Sequence, residues 1–325
     1  MRLIVADIGG TNARFAVSSQ GEPSLCHITH LRCADFVGFE DAFERFLTGL
    51  PCDEQSGHHV LSLAVAGPVN EQIVDVSNNH WRFDKTRLLE RLALDKLLVI
   101  NDFTAQALAQ HNAADGDRRQ ILDGIKDASA PLLVIGPGTG LGVSALIPVV
   151  QGPLPVEGEG GNIRFAPQNE PERDLCDYME QQTEHVVVEH FVSGPGLENI
   201  HRFLANSAGI ETSLSAEMIA TYALREEGIC RDAVNLMIGI LGAVMRDHVL
   251  TMGCWRGAVI TGGIMPRLQS LINSSPLKQR FRSAGDMSHI LGNVPVWLST
   301  DPLAGLKGAQ VAFGNPYLAH RMVTG

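Results

Sequence analysis

Two glycine-rich turns contain the residue types that bind phosphate. Residues 7–12 read DIGGTN, and residues 136–142 read GPGTGLG. Glycine lets the backbone approach a ligand closely and adopt positive φ angles, and successive N–H groups in such a turn form a concave anion site. The carboxylate of Asp7 cannot donate to phosphate but suits Mg²⁺, directly or through a water molecule. The turns therefore predict a phosphate site with a divalent cation.

Neither turn matches the common nucleotide-binding motifs. The second turn lacks the Lys-Ser/Thr of a P-loop. It is followed by residues 141–147 (LGVSALI), which read as a strand rather than the helix of a Rossmann unit. Each turn alone also fits a plain hairpin, and Pro137 removes one N–H from the second. Taken as a pair, they favour phosphate held between two hairpins.

A possible catalytic carboxylate follows the short apolar strand predicted over residues 96–100 (KLLVI). Asn101 and Asp102 stand at its carboxyl end, where ligands of open α/β sheets bind. A carboxylate there can accept the proton of a substrate hydroxyl. Asp102 also fits the N-cap of the helix predicted over residues 103–110, and the two roles are compatible. A third glycine pair, Gly262-Gly263, ends another strand and fits either ligand binding or tight strand–helix packing.

The elements that position these residues occur in two similar groups. Strands 132–136 and 141–147 flank the second turn as strands 2–8 and 12–18 flank the first, which predicts duplicated α/β halves with a cleft between them and a boundary near residue 110. The other predicted strands are 60–66, 71–77, 96–100, 257–261 and 294–299, and the predicted helices are 35–47, 103–110, 171–182, 196–206, 215–227, 230–252, a segment from Met265 and 303–313.

Composition narrows the class of protein. A chain of 325 residues suggests two domains, and a net charge of −11 argues against a general binder of nucleic acid or anionic membranes. The six cysteines form no C-x-x-C pair, which is typical of free thiols in a reducing compartment. The apolar stretch 233–245 is shorter than the ~18 residues that span a bilayer. We therefore expect a cytoplasmic protein.

Seven motifs together resemble the bacterial glucokinase family, within the hexokinase/actin-like sugar kinase superfamily. The resemblance extends from Leu3 to about Gly314. The motifs are DIGGTNARF at 7–15, NNHW at 78–81, NDFTA at 101–105, GPGTGLGV at 136–143, EGEGGN at 157–162, SGPGL at 193–197 and TGGIMPR at 261–267.

The resemblance implies an α/β fold of two ribonuclease H-like (actin/hexokinase-type) domains flanking a cleft. We expect a small domain of residues 1–110 plus 302–325 and a large domain of residues 111–301. It further implies a homodimer that uses ATP and Mg²⁺ to phosphorylate D-glucose at its 6-hydroxyl, as in glycolysis, while composition and charge predict no nucleic acid or membrane partner.

The resemblance also assigns roles by position. Asp102 is the implied general base, and Asp7 is the implied Mg²⁺ ligand, directly or through water. The implied sugar-binding residues are Asn78, Asn101, Asp102, Glu159, Asn162 and Glu189. The implied ATP-binding residues are Ala6, Asp7, Ile8, Gly9, Gly10, Thr11, Asn12, Gly138, Thr139, Gly140, Gly262 and Gly263.

One departure from the family pattern leaves the choice of sugar open. The family's G-E-G-G-H reads G-E-G-G-N here, with Asn162 in place of the histidine. Two alternatives therefore remain: a kinase for another hexose, such as fructose or an N-acetylated hexosamine, or a catalytically weak sugar sensor. The related zinc-containing kinases have clustered cysteines after this motif, and no such cluster follows Asn162. The related transcription factors have a helix-turn-helix before the first turn, and Asp7 leaves no room for one.

Overall fold

A computed structural model describes residues 2–18, 24–55 and 58–325. Its strands are β1 (Arg2–Ile8), β2 (Asn12–Ser18), β3 (Leu25–Arg32), β4 (His59–Val65), β5 (Ile73–Asp75), β6 (Arg82–Asp84), β7 (Lys96–Asn101), β8 (Arg118–Leu122), β9 (Leu132–Pro137), β10 (Leu141–Val149), β11 (Gly152–Gly158), β12 (Gly257–Ile260), β13 (Val296–Ser299) and β14 (Val323–Thr324). Its helices are α1 (Phe39–Thr48), α2 (Cys52–Gln55), α3 (Lys85–Arg91), α4 (Asp102–Ala109), α5 (Glu170–Glu180), α6 (Gly194–Ser207), α7 (Ala216–Arg225), α8 (Ile229–Met252), α9 (Gln269–Ile272), α10 (Leu277–Arg282), α11 (Ser288–Leu291) and α12 (Ala304–Phe313).

The first sheet has the strand order β14-β7-β4-β1-β2-β3. Strands β1, β2 and β3 form an antiparallel meander, whereas β4 and β7 run parallel to β1. The central strand β4 reads HVLSLAV and is buried along its whole length, as a parallel strand covered on both faces should be. The register aligns Asp7 with Ala64 and Val65 with Asn101, so β1 and β7 end at the same edge of the sheet.

The second sheet repeats this arrangement, with the order β11-β10-β9-β12-β13-β8. Strand β9 lies between the β10–β11 hairpin on one side and the parallel strands β12 and β13 on the other. Strand β9 therefore corresponds to β1, and the turn after β9 corresponds to the turn after β1. The predicted duplication of the strand–turn–strand device is confirmed.

The chain divides into two compact units. One comprises Met1–Ala113, Leu146–Glu157 and Asp301–Gly325, and the other comprises Ala114–Ala145 and Gly158–Thr300. The outer part of the β10–β11 hairpin belongs to the first unit, where the buried Asn315 amide donates to the carbonyl of Pro153 at 2.8 Å. The division expected from the sequence kept this hairpin in the large domain. The domain boundaries stay a prediction.

The core of the first unit is rich in aromatic rings. Phe15 of β2 stacks on Phe46 of α1 with ring centroids 5.3 Å apart, and Phe39 meets the edge of Trp81 at 6.2 Å. Trp81 is only 1 % exposed and therefore anchors the NNHW segment to this core.

The long helix α8 is the centre of the second unit. It has the length and hydropathy of a membrane-spanning helix, but 78 % of its apolar window is buried inside the protein. It contacts α6, α7 and α10 on its flanks, and contacts with β9 and β12 join it to the sheet. Burial against these elements accounts for its apolar sequence as that of a core helix.

Three predicted elements differ from the structure. The helix expected from Asp35 begins at Phe39, after a 3-10 turn over Cys33–Asp35. The strand expected over 71–77 is only β5, and the segment from Met265 forms turns until α9. Pro266 in that segment and Gly67 and Pro68 ahead of β5 are the residue types that interrupt regular structure.

Candidate functional site

The first glycine-rich turn lies at the carboxyl end of β1. The Gly9 amide donates to the Asn12 carbonyl at 2.9 Å, which closes the predicted hairpin. The Asp7 side chain is 14 % exposed, and its Oδ2 lies 3.4 Å from Nη1 of Arg14. Burial raises the pKa of Asp7, and the adjacent Arg14 guanidinium offsets part of that rise. Asp7 is thus a largely desolvated carboxylate with one cationic neighbour.

These residues fit a magnesium site of the kind that nucleotides complete. Among the residues that the structure describes, no group of three or more His, Cys, Asp or Glu side chains is placed to hold a metal ion. Mg²⁺ bound to a nucleotide takes one or two carboxylates and fills its other positions with phosphate oxygens and water. Asp7 can provide that carboxylate, directly or through a water molecule.

The Asn78 loop lies against the first turn. A Cβ added to Gly10 would stand 3.0 Å from the carbonyl oxygen of Asn78, so only glycine fits there comfortably. The Asn79 amide donates to the Gly9 carbonyl at 3.1 Å. Asn78 itself is exposed, with a left-handed φ of 55°. An open depression in this unit is lined by Gly10, Thr11, Cys33, Ala34, Asn78 and Asn79.

The helix cap next to Asp102 is Asn101. Its side-chain oxygen accepts from the amides of Phe103 at 2.8 Å and Thr104 at 3.3 Å, and its NH₂ donates to the Gly67 carbonyl at 3.1 Å. Asp102 is the first helical residue of α4, where its Oδ1 accepts from the next amide at 3.0 Å. The cap role that the sequence allowed for Asp102 therefore belongs to Asn101, which keeps one N–H donor for a ligand.

Helix α12 packs closely against β1, which carries Asp7, and against α4, which carries Asp102. A Cβ added to Gly305 would lie 2.5 Å from Cγ of Asp7, and one added to Gly308 would lie 2.7 Å from Cα of Ala105 in α4. The buried Ser62 hydroxyl of β4 donates to the Ala309 carbonyl at 2.6 Å, which ties α12 to the sheet. Close backbone packing of α12 thus sets the positions of β1 and α4.

The second phosphate turn lies in the other unit and contains glycines of two kinds. Gly262 has a φ of 89°, and a Cβ there would stand 2.6 Å from the Pro137 carbonyl oxygen. A Cβ on Gly136 would clash with the backbone of Thr261. By contrast, nothing lies within 4 Å of a Cβ built on Gly138 or Gly263. Gly136 and Gly262 therefore serve packing, whereas the space beside the Cα of Gly138 and Gly263 is open, although the Gly138 N–H donates to the Gly140 carbonyl at 2.8 Å.

Glu159 and Glu189 lie near each other in this second unit. Oε2 of Glu189 accepts from the Leu141 amide at 3.0 Å, and a Cβ on Gly140 would approach that oxygen to 2.6 Å. Burial raises the pKa of Glu159, and the negative charge of Glu189 raises it further. Asn162 is exposed and ends a short 3-10 turn in which its amide donates to the Glu159 carbonyl at 2.9 Å.

Sequence reasoning missed a histidine beneath this turn. His248 of α8 is 9 % exposed, and its Cε1 would lie 2.9 Å from a Cβ on Gly160. Burial lowers the pKa of His248, and its hydrogen bond to the Gly160 backbone opposes that fall. The ring is therefore neutral at pH 7 and supports the turn that carries Glu159 and Asn162. No local motif marks this contact, because 87 residues of the chain lie between Gly160 and His248.

The structure thus places the expected site residues in two groups. The first unit brings together the turn of residues 6–12, Asn78, Asn101 and Asp102. The second brings together residues 138–140, Gly262, Gly263, Glu159, Asn162 and Glu189.

The chain is similar to known proteins over nearly its whole length. The family model described as Glucokinase matches residues 4–316. A glucokinase of Helicobacter pylori strain P12 is 39 % identical over 98 % of this chain and 96 % of its own length. The crystal structure of a glucokinase from an Antarctic psychrotroph is 32 % identical, with a TM-score of 0.83 over 97 % of this chain and 99 % of that one.

A more distant structure supports the fold. A ROK family glucokinase from Streptomyces griseus, in complex with glucose and AMPPNP, is 20 % identical, with a TM-score of 0.65 over 95 % of this chain and 98 % of that one. These likenesses confirm the predicted two-domain ribonuclease H-like fold. With a family model over nearly its whole length and a relative at 39 % identity, the chain belongs to the glucokinase family.

Proposed function

We propose that this protein phosphorylates D-glucose at the 6-hydroxyl with ATP, and that Asp102 is the general base. The observation that carries the role of Asp102 is that Asn101 caps α4. The Asn101 side chain accepts hydrogen bonds from the amides that a cap must satisfy, so the Asp102 carboxylate at the carboxyl end of β7 is not required as the cap. Family membership and the glucose and AMPPNP bound in the Streptomyces griseus structure support the choice of substrates.

The proposed chemistry depends mainly on positioning and charge. Asp102 accepts the proton of the sugar hydroxyl as that oxygen bonds to the terminal phosphorus of ATP, while the bond from this phosphorus to the bridging oxygen breaks and ADP leaves with the electron pair. Backbone N–H groups at Gly263 and in the turn of residues 6–12 bind phosphate oxygens, and the open space beside Gly138, whose own N–H donates to Gly140, lets the phosphate approach the second turn. Asn78, Asn101, Glu159, Asn162 and Glu189 bind the sugar. Mg²⁺, when bound beside Asp7, would neutralise phosphate charge.

A coupled ADP-release assay with Mg-ATP and a panel of hexoses tests the activity. We expect turnover with glucose, and no turnover with any hexose would support the sugar-sensor alternative instead. Asp102→Asn should abolish turnover and leave glucose binding by calorimetry largely intact. Asp84→Asn is a matched control, because Asp84 caps α3 in the same unit. A near-normal kcat in Asp102→Asn would contradict the proposed base.

The sugar itself is a second question, and Asn162 is the residue that bears on it. A carboxamide is shorter than the family's imidazole and cannot become cationic, although it can both donate and accept. Loss of one hydroxyl contact would weaken sugar binding by about 3- to 10-fold. We therefore keep another hexose as the alternative substrate, which a clear preference for that sugar in the panel would establish.

Three further features rest on the family resemblance. We propose a cytoplasmic homodimer that requires Mg²⁺. Sedimentation of the purified protein tests the dimer. Removal of the metal with a chelator, followed by restoration with Mg²⁺ or Ca²⁺, tests the metal requirement.

A further inference from the structure

Glu157, near the end of β11, forms a bidentate ion pair with Arg321. Arg321, in the 3-10 turn Ala319–Arg321, places Nη1 2.9 Å from Oε1 and Nη2 2.6 Å from Oε2 of Glu157. Such bidentate contacts fix both distance and orientation, because the guanidinium and the carboxylate are each planar. The side chains are only 20 % and 24 % exposed, so solvent screens the pair less than a surface ion pair.

The same carboxylate reaches the helix that begins with Asp102. The Thr104 hydroxyl donates to Oε1 of Glu157 at 2.5 Å. Thr104 is 1 % exposed and belongs to the first turn of α4, where its amide donates to the Asn101 cap at 3.3 Å. One oxygen of Glu157 thus accepts from both Arg321 and Thr104.

These contacts link parts of the first unit that lie far apart in sequence. Thr104 is two residues after Asp102, and Glu157 opens the EGEGGN motif two residues before Glu159. The motif's second glutamate has a proposed role in sugar binding, whereas its first has none. The observed partners of Glu157 are Arg321 and Thr104, so the Arg321–Glu157–Thr104 network joins the motif to the first turn of α4.

We propose that Glu157, held by Arg321, positions the Asp102 carboxylate for catalysis through Thr104. All three are positioning residues, and the inference rests on the proposed role of Asp102. The network orients the first turn of α4, so its loss allows Asp102 to move relative to the hydroxyl that it must meet. Misplacement of a catalytic group lowers the rate of the chemical step steeply, by about 10²-fold for 1 Å.

Thr104 variants separate positioning from simple stability. Thr104→Val keeps the shape of the side chain and removes its donor, whereas Thr104→Ser keeps the hydroxyl. We expect kcat to fall about tenfold in Thr104→Val, with the KM for ATP within about twofold of the wild type. Thr104→Ser should restore most of kcat. Equal kcat values in Thr104→Val and the wild type would overturn the proposal.

Arg321 and Glu157 variants test the other half of the network. Arg321→Met should reproduce the fall in kcat, and Arg321→Lys should give an intermediate value because it keeps the charge without the planar fork. Combining Arg321→Met with Thr104→Val should cost less than the product of the two single effects, since both act through Glu157. Independent, multiplying effects would overturn the coupling. If Arg321→Met does not fold, Glu157→Gln and Arg321→Lys replace it, and each is combined with Thr104→Val to test the same coupling.

Arg2→Met is the matched control. Arg2 belongs to the same unit, pairs with Glu54 at 3.9 Å and has a side chain 29 % exposed, but lies at the opposite end of β1 from Asp7. It should lower the unfolding temperature without lowering kcat. If Arg321→Met behaves in the same way, the network is only structural. If Asp102→Asn retains turnover, the proposed base is wrong, which is a separate outcome from unchanged kcat in Thr104→Val.

Discussion

Gly308→Ala tests how tightly helix α12 sets the position of α4. A Cβ at residue 308 would overlap the carbonyl group of Ala105 and stand 2.7 Å from its Cα, whereas ordinary contact begins at 3.4 Å. The two backbones must therefore separate by more than the Cα difference of about 0.7 Å, because the carbonyl group lies closer still. Asp102 precedes Ala105 by three residues on the same helix, so it shifts as well. Since a 1 Å misplacement costs about 10²-fold in rate, we expect kcat to fall at least about tenfold.

Stability should fall together with activity in this variant. Overpacking a close contact costs about 1–3 kcal/mol, and replacing a helical glycine by alanine returns up to about 1 kcal/mol. With both contributions at their upper values the net loss is about 2 kcal/mol, and the overlap with the Ala105 carbonyl makes the upper cost the appropriate one. The measurements are kcat by coupled ADP release and the unfolding temperature by calorimetry.

Gly314→Ala provides the control for Gly308→Ala. Gly314 caps the same helix at a φ of −94°, and nothing lies within 4 Å of a Cβ built there. It should leave both quantities near those of the wild type. Equal kcat values in the two variants would refute the claim that α12 and α4 meet at the backbone.

Three further predictions concern charge in the site. Burial raises the pKa of Asp7 above its ordinary value of 3.8. Between the unfolded and the folded pKa, the folded protein therefore binds more protons at Asp7 than the unfolded chain does, and its stability falls as the pH rises through this range. In the absence of metal, Asp7→Asn should therefore unfold at a higher temperature than the wild type at pH 7, and this difference should shrink toward pH 4. The KM of the variant for ATP should rise. A difference in unfolding temperature that does not change with pH would contradict the raised pKa of Asp7. Glu189→Gln should lower the raised pKa of Glu159 and shift the acid limb of the sugar KM profile to lower pH, and an unmoved limb would show that the two carboxylates do not interact. Asn162→His should lower the glucose KM by about 3- to 10-fold, and no change would mean that residue 162 does not contact the sugar.

Local sequence predicted the elements whose patterns are strong. The apolar runs of β1, β4, β7 and β9 and the glycine turns after β1 and β9 lie where expected. The edge strands were harder to predict, because their sequences mix apolar residues with polar residues or prolines. Strand β8 reads RRQIL, and β11 reads GPLPVEG with two prolines, which argue against a strand. A strand can still form there because the neighbouring strand provides the hydrogen bonds.

The site was predictable in its residue types more than in its contacts. The DIGGTN and NDFTA motifs directed attention to Asp7 and Asp102, but Asn101 and Asp102 both fit a helix cap. Only the hydrogen bonds to Phe103 and Thr104 show that Asn101 is the cap. The Arg321–Glu157–Thr104 network and the contact of His248 with Gly160 join distant segments, for which a single sequence has no spacing signal.

The first unit is discontinuous in the chain, and this has a consequence for biosynthesis. Its third segment, which begins at Asp301 and includes α12 and Arg321, leaves the ribosome after every residue of the second unit. Until then, the apolar surfaces of β4 and α4 that α12 covers stay open, and Asp7 and Asp102 lack their support. The second unit can therefore fold on the nascent chain first, while the unit that holds the proposed base acquires its working geometry only after residues 301–325 have been synthesised.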